Sequence, residues 1–146
     1  MGKRHRRPAD PRYTLTQLED HDWGAPTHDS SIARRLHALR NKPIGEFGVE
    51  DLRFAIGQEM SLAILLPLAL DELERDPLVS GHHYEGDLLQ MVLLCVDKWP
   101  RDRETLERLR LVLQRSIEDI PGCPHLIDKL KAELLAQCRL GLEHLT

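Results

Sequence analysis

Apolar residues recur at helical spacing along most of this chain. Residues three or four positions apart share one face of a helix, so this repeat predicts amphipathic helices packed on a core. A single helical turn is predicted over 14–19. The six longer helices are predicted over 30–41, 49–58, 60–76, 88–96, 101–120 and 124–140. The third of these is either one helix or two short ones joined near Pro67, because proline readily opens a new helix at its first position.

The predicted helix ends carry residues suited to them. Asp29 or Ser30 is placed to cap the first long helix, and Lys42-Pro43 ends it, because a residue before proline avoids the helical region. Asp87 is placed to cap the helix over 88–96, and Gly141 to end the last helix.

The segment 88–96 is apolar on every face except at Gln90, so we expect a central helix buried on all sides. The composition agrees, because only 4% of residues are aromatic while leucine is abundant. We therefore predict an all-α fold, a single-domain bundle of about six helices around that central helix, spanning 14–146. Residues 1–13 are predicted to form a flexible basic tail. Trp23, in an irregular stretch, is expected to pack against the body.

The net charge of −4 is unevenly distributed. Residues 1–12 hold five basic residues and one acid, whereas residues 46–87 hold ten acids and two arginines, a net −8. Three of these acids, Asp71, Glu72 and Asp76, lie on or beside the predicted outer face of the third helix. Such a segment favours a basic partner, because complementary charge speeds encounter.

The run 82–87, with sequence HHYEGD, is the densest set of potential metal ligands. A metal-dependent hydrolase using His82, His83, Glu85 and Asp87 is therefore one alternative. The spacing matches no zinc pattern, and adjacent loop residues rarely converge on one ion, so an exposed, partner-facing loop is favoured. In that interpretation Tyr84 is an amphipathic binding anchor.

The remaining chemistry is sparse. Cys95 and Cys138 are expected to be apolar fillers, and Cys123-Pro124-His125 to mark a helix start rather than a nucleophile and its base. An odd number of cysteines favours a reducing compartment, and no apolar run is long enough to span a membrane, so a cytoplasmic location is expected. The basic tail leaves a nucleic-acid-associated regulator as a further alternative.

Several blocks together resemble one bacterial family. They read LRNKPIGEFGVEDLR at 39–53, IGQ at 56–58, LLPLAL at 65–70, PL at 77–78 and YEGDLL at 84–89. The segment 18–24, which begins with LE and ends with WG, precedes them and belongs to the same resemblance. The chain is similar in these blocks to immunity proteins of contact-dependent growth inhibition (CDI) systems over about 15–100. It departs where Gly48 replaces an expected threonine cap, where Met60-Ser61 replaces a glycine-containing turn, and in the loop at 82–85.

The resemblance implies a protein that binds and neutralises the C-terminal toxin domain delivered by a neighbouring cell, in many cases a nuclease. It implies no enzymatic activity, no cofactor or metal, and neither a nucleic-acid nor a membrane partner, and it leaves the oligomeric state open. The residues expected to bind toxin are Asp71, Glu72, Asp76, His82, Tyr84 and Glu85.

Overall fold

The computed structural model describes residues 9–26 and 30–145. These residues form seven α-helices, three short 3-10 helices and no strand, which confirms the all-α prediction. The α-helices are α1 Leu15–Leu18, α2 Ser31–Arg40, α3 Val49–Gly57, α4 Leu62–Arg75, α5 Asp87–Leu94, α6 Arg103–Asp119 and α7 Asp128–His144. The 3-10 helices are Ile44–Glu46, Val96–Lys98 and Ile120–Gly122. The chain divides into two compact units, and the boundary lies between Phe47 and Gly48.

In the first unit, α1 packs on α2. The Thr14 side chain accepts a hydrogen bond from the Gln17 backbone amide, and the Gln17 side chain accepts one from the Thr14 backbone amide. This reciprocal pair is a capping box at the N-terminus of α1, the single helical turn that the sequence predicts. Ser30 caps α2 as predicted by accepting from the Ala33 amide. Asp29, the other candidate cap, lies outside the described residues.

In the second unit, α5 packs against α3, α4 and α7, and it is the central helix that the sequence predicts. Leu88, Leu89 and Val92 are fully or almost fully buried. The prediction is wrong at the end of the helix, because α5 stops at Leu94, which is 61% exposed. The Val92 carbonyl accepts from both Trp99 Nε1 and Cys95 Sγ, and these bonds accompany the departure of the chain from the helix.

The segment around Pro67 forms one helix, α4, rather than two. Proline removes one backbone donor from the helix interior, yet the apolar face continues across it without interruption. The buried residues of that face are Leu65, Leu66, Ala69, Leu70 and Leu73. Packing against α3, α5 and α6 holds the helix together.

The last helix differs from the prediction at both ends. Pro124 precedes α7 by several residues, and the helix begins only at Asp128. Gly141 lies inside the helix and does not end it. Its backbone packs so closely that an added Cβ would lie 2.9 Å from Leu113 Cδ1 and 3.1 Å from Leu93 Cδ2. The glycine therefore serves close packing rather than a left-handed cap.

Candidate functional site

The loop from residue 80 to residue 86 is held by the carboxylate of Asp87, which is 1% exposed. One oxygen accepts from the Gly81 amide at 2.6 Å, and the other accepts from the His83 amide at 3.1 Å. The prediction that Asp87 caps α5 is therefore wrong. Asp87 is the first residue of the helix, and side chains there tilt back toward the N-terminus, so its carboxylate reaches the preceding loop.

A second carboxylate holds the same loop from α3. Glu50 Oε1 accepts from the His82 amide at 3.1 Å, while Arg53 forms a two-pronged ion pair with Glu50 at 2.6 and 2.7 Å. Gly81 lies between the carboxylates: an added Cβ would lie 2.8 Å from Glu50 Oε1 and 3.0 Å from Asp87 Oδ2. Any side chain at this position would therefore displace the carboxylate of Glu50 or of Asp87.

The loop residues predicted to bind toxin are not equally accessible. His82 is exposed, as is its neighbour His83, whereas Tyr84 and Glu85 are half-buried. Burial raises the pKa of Tyr84, and the nearby Asp87 carboxylate raises it further. Glu85 Oε2 accepts from the Cys123 thiol at 3.0 Å, and burial together with this bond raises the pKa of Cys123. The loop therefore presents two imidazoles outward on a tied backbone.

The structure does not assemble the proposed metal site. Asp87 is occupied by backbone amides, and Glu85 contacts Cys123. Across residues 9–26 and 30–145, no three or more His, Cys, Asp or Glu side chains are grouped so that they would hold a metal ion.

The acidic residues on and beside α4 have partners that their sequence positions do not reveal. Arg108 of α6 contacts Asp71 at 2.7 Å and Glu74 at 2.6 Å, and this guanidinium lowers the pKa of Glu74. Glu72 lies 3.5 Å from Arg75, and Asp76 accepts from the Leu78 amide at 3.0 Å. These acids lie on and beside α4 as predicted, but ion pairs with Arg75 and Arg108 neutralise part of their charge within the protein.

The three cysteines are buried and free. For Cys95 and Cys138 this agrees with the prediction of apolar fillers, whereas Cys123 donates to Glu85 and does not mark a helix start, because α7 begins at Asp128. Burial raises the pKa of Cys95 to about 11 and that of Cys138 to about 12, so neither is a thiolate at neutral pH. No helix in the part of the chain that the structure describes is both long and apolar enough to cross a membrane.

The family model of CDI immunity proteins matches residues 17–109. This chain belongs to that family. The matched range begins in α1 and ends in α6, and it contains α4, both carboxylates that hold the loop at 80–86, and the loop itself. No curated protein and no solved structure matched the chain.

Sequence reasoning missed Glu50 and Arg108 as parts of this surface. Glu50 lies in the first turn of α3, where a negative charge is favoured by the helix dipole. Its second role depends on a contact to His82, 32 residues away in the chain. No local pattern indicates such a contact.

Proposed function

We propose that this member of the CDI immunity family binds a cognate toxin domain and blocks its activity. The family match over nearly two thirds of the chain carries this proposal. A stoichiometric inhibitor needs a rigid surface complementary to its partner, and it needs no catalytic group of its own.

We further propose that the toxin is a nuclease. Nuclease active sites bind phosphates and are therefore basic, so an acidic protein surface competes for them. The segment 46–87 supplies this charge. Lys98 pairs with Glu59, and Arg108 with Asp71 and Glu74, so the negative excess is reduced but not removed.

The proposed contact surface joins the acidic end of α4 to the tied loop. Its residues are Asp71, Glu72, Asp76, His82, Tyr84 and Glu85. Because Asp87 and Glu50 already hold the loop backbone, toxin binding does not have to order it. The exposed imidazoles offer both donors and acceptors to the partner.

Co-expression tests the proposal in cells. A candidate cognate toxin domain is expressed alone and together with the protein, and growth is followed. We expect arrest with the toxin domain alone and growth when both are present. Continued arrest despite abundant folded protein would contradict the proposal.

Surface variants test the assigned residues. Asp71→Asn, Glu72→Gln and Asp76→Asn remove charge while keeping a side-chain acceptor for the Leu78 amide. We expect slower association with the toxin domain and a flatter dependence on salt, because steering charge is lost. Glu118→Gln, an exposed carboxylate on α6, is the matched control. Equal effects from the control and the α4 set would remove α4 from the contact surface.

A further inference from the structure

Trp23 is the largest apolar side chain that the described residues expose. It is 56% exposed, although its ring stacks on the guanidinium of Arg40, 4.0 Å from the ring centroid. Arg40 itself is 1% exposed. A buried cation therefore supports an exposed aromatic ring, the reverse of the usual arrangement in which a long charged side chain lies over a buried ring.

Arg40 is held in place independently of the tryptophan. Its guanidinium donates to Glu19 Oε1 at 2.6 Å and to the His21 carbonyl at 3.1 Å. These bonds give the two terminal nitrogens of the buried guanidinium polar partners. Arg40 is thus a fixed platform, and the Trp23 ring rests on it.

The backbone around Trp23 is held by a hydrogen bond as well. The Asp22 carboxylate accepts from the Gly24 amide at 2.8 Å, which closes a turn with Trp23 at its centre. Gly24 has a φ of +73°, a conformation that favours glycine. The turn and the platform together limit the orientations of the ring.

Folding alone does not account for a tryptophan at this position. More than half of its surface stays in water, so its burial stabilises the fold less than a core aromatic would. The bonds of Arg40 to Glu19 and His21 do not involve the ring. An ordered, exposed tryptophan is, however, well suited to binding, because it brings a large apolar area at a small cost in side-chain entropy.

The charge around the ring indicates the chemistry of the partner. Residues 13–26 contain the acids Glu19, Asp20 and Asp22 and no lysine or arginine. Asp20 and Asp22 are exposed and lie just before Trp23 in the chain, while Arg40 pairs with Glu19. An apolar ring with an acidic rim fits a basic protein surface that contains an apolar pocket, and it repels nucleic acid.

We propose that Trp23, on its Arg40 platform and with Asp20 and Asp22 as rim, is a second toxin-contact site that inserts into an apolar pocket of the toxin domain. This inference rests on the proposed function, since it names the toxin as the occupant. Trp23 makes the contact, and Arg40 is a positioning residue.

Fluorine NMR tests this contact on the intact protein. Labelling with 5-fluorotryptophan gives one signal from Trp23 and one from Trp99, which Trp23→Phe and Trp99→Phe assign. Trp99 is 2% exposed and donates to the Val92 carbonyl at 2.8 Å, so it serves as an internal control. On adding the unlabelled toxin domain, we expect the Trp23 signal to shift and lose its sensitivity to solvent, while the Trp99 signal stays in place.

Affinity variants give a second readout. We expect Trp23→Ala to weaken toxin binding at least about thirtyfold, the loss typical of a binding hot spot, while far-UV circular dichroism is unchanged. Leu111→Ala, at 55% exposure on α6, is the matched control for loss of exposed apolar surface, and we expect little change in its affinity. Asp20→Asn is expected to slow association severalfold, because it removes rim charge and asparagine tolerates the left-handed backbone at this residue (φ 49°).

The outcomes separate this inference from the proposed function. If the wild-type protein binds no toxin domain, the proposed function fails. If it binds while the Trp23 signal does not move and Trp23→Ala binds normally, only the second site is refuted. A Trp23→Ala change that converts a dimer to a monomer in sedimentation, with toxin affinity unchanged, would assign the ring to self-association and overturn the inference.

Discussion

Replacing Asp87 tests whether its carboxylate ties the loop or merely caps a helix. An ordinary helix cap contributes about 1 kcal/mol. Asp87 instead accepts two well-formed bonds, from the Gly81 and His83 amides at 2.6 and 3.1 Å. A hydrogen bond to a charged group contributes about 1.5–3 kcal/mol. The third amide nearby, that of Tyr84, lies 3.5 Å away and adds little.

The two bonds set an upper bound of about 6 kcal/mol for Asp87→Ala. The true cost is smaller, because His83 is exposed and water can reach part of the loop once the carboxylate is gone. We expect a loss of about 3 kcal/mol in the free energy of unfolding. Asp87→Asn should cost somewhat less, because asparagine keeps one acceptor oxygen for one of the two amides. It still costs stability, because its NH2 group faces the other backbone N–H, and two donors cannot bond to each other.

Urea denaturation measures these losses, and hydrogen exchange locates them in the loop. Asp102→Ala is the control, because Asp102 caps α6 through the Thr105 amide at 2.9 Å and should cost about 1 kcal/mol. Equal losses for Asp87→Ala and Asp102→Ala, with unchanged exchange at Gly81 and His83, would refute the role assigned to Asp87.

Three further predictions concern residues that hold the fold and the site. Ser61→Gly should stabilise the protein by about 0.5–1 kcal/mol in urea denaturation, because Ser61 has a φ of +52°; a loss of stability would show that the serine side chain outweighs this strain. Gly81→Ala should weaken toxin binding and speed loop exchange, because its Cβ would lie 2.8 Å from the Glu50 carboxylate; unchanged exchange would contradict the tight fit. Arg108→Met should destabilise the protein at neutral pH but progressively less as the pH falls below 4.5, the ordinary pKa of Glu74. The folded-state pKa of Glu74 is lowered by Arg108, so its contribution is present above 4.5 and is lost on protonation; a difference independent of pH in thermal melts would exclude this linkage.

The helices and the central position of α5 were predictable because local apolar spacing determines which face is buried. Apolar spacing also continues across Pro67, and α4 is one helix there, although the presence of proline alone allowed either one helix or two. Helix ends were less predictable, since Gly141 packs against residues from other elements rather than ending its own helix. Short-range signals therefore define the elements and long-range contacts adjust their ends.

The site was less accessible to sequence reasoning than the fold. The acidic segment and its loop were evident, but the partners that shape them come from elsewhere in the chain. Arg108 reaches Asp71 from 37 residues away. Trp23, which was expected to pack against the body, is mostly exposed. Its ring contacts the Arg40 guanidinium, which comes from α2. Charge counted along the chain cannot show which carboxylates are already paired.

Titration of toxin activity measures the central claim most directly. A fixed amount of the cognate toxin domain identified by co-expression is mixed with rising amounts of the protein, and cleavage of a nucleic acid substrate is followed. We predict a linear fall in activity that ends at a constant molar ratio and does not deepen with time. Full activity at a large excess of folded protein, or inactivation by strongly substoichiometric amounts, would contradict neutralisation by binding.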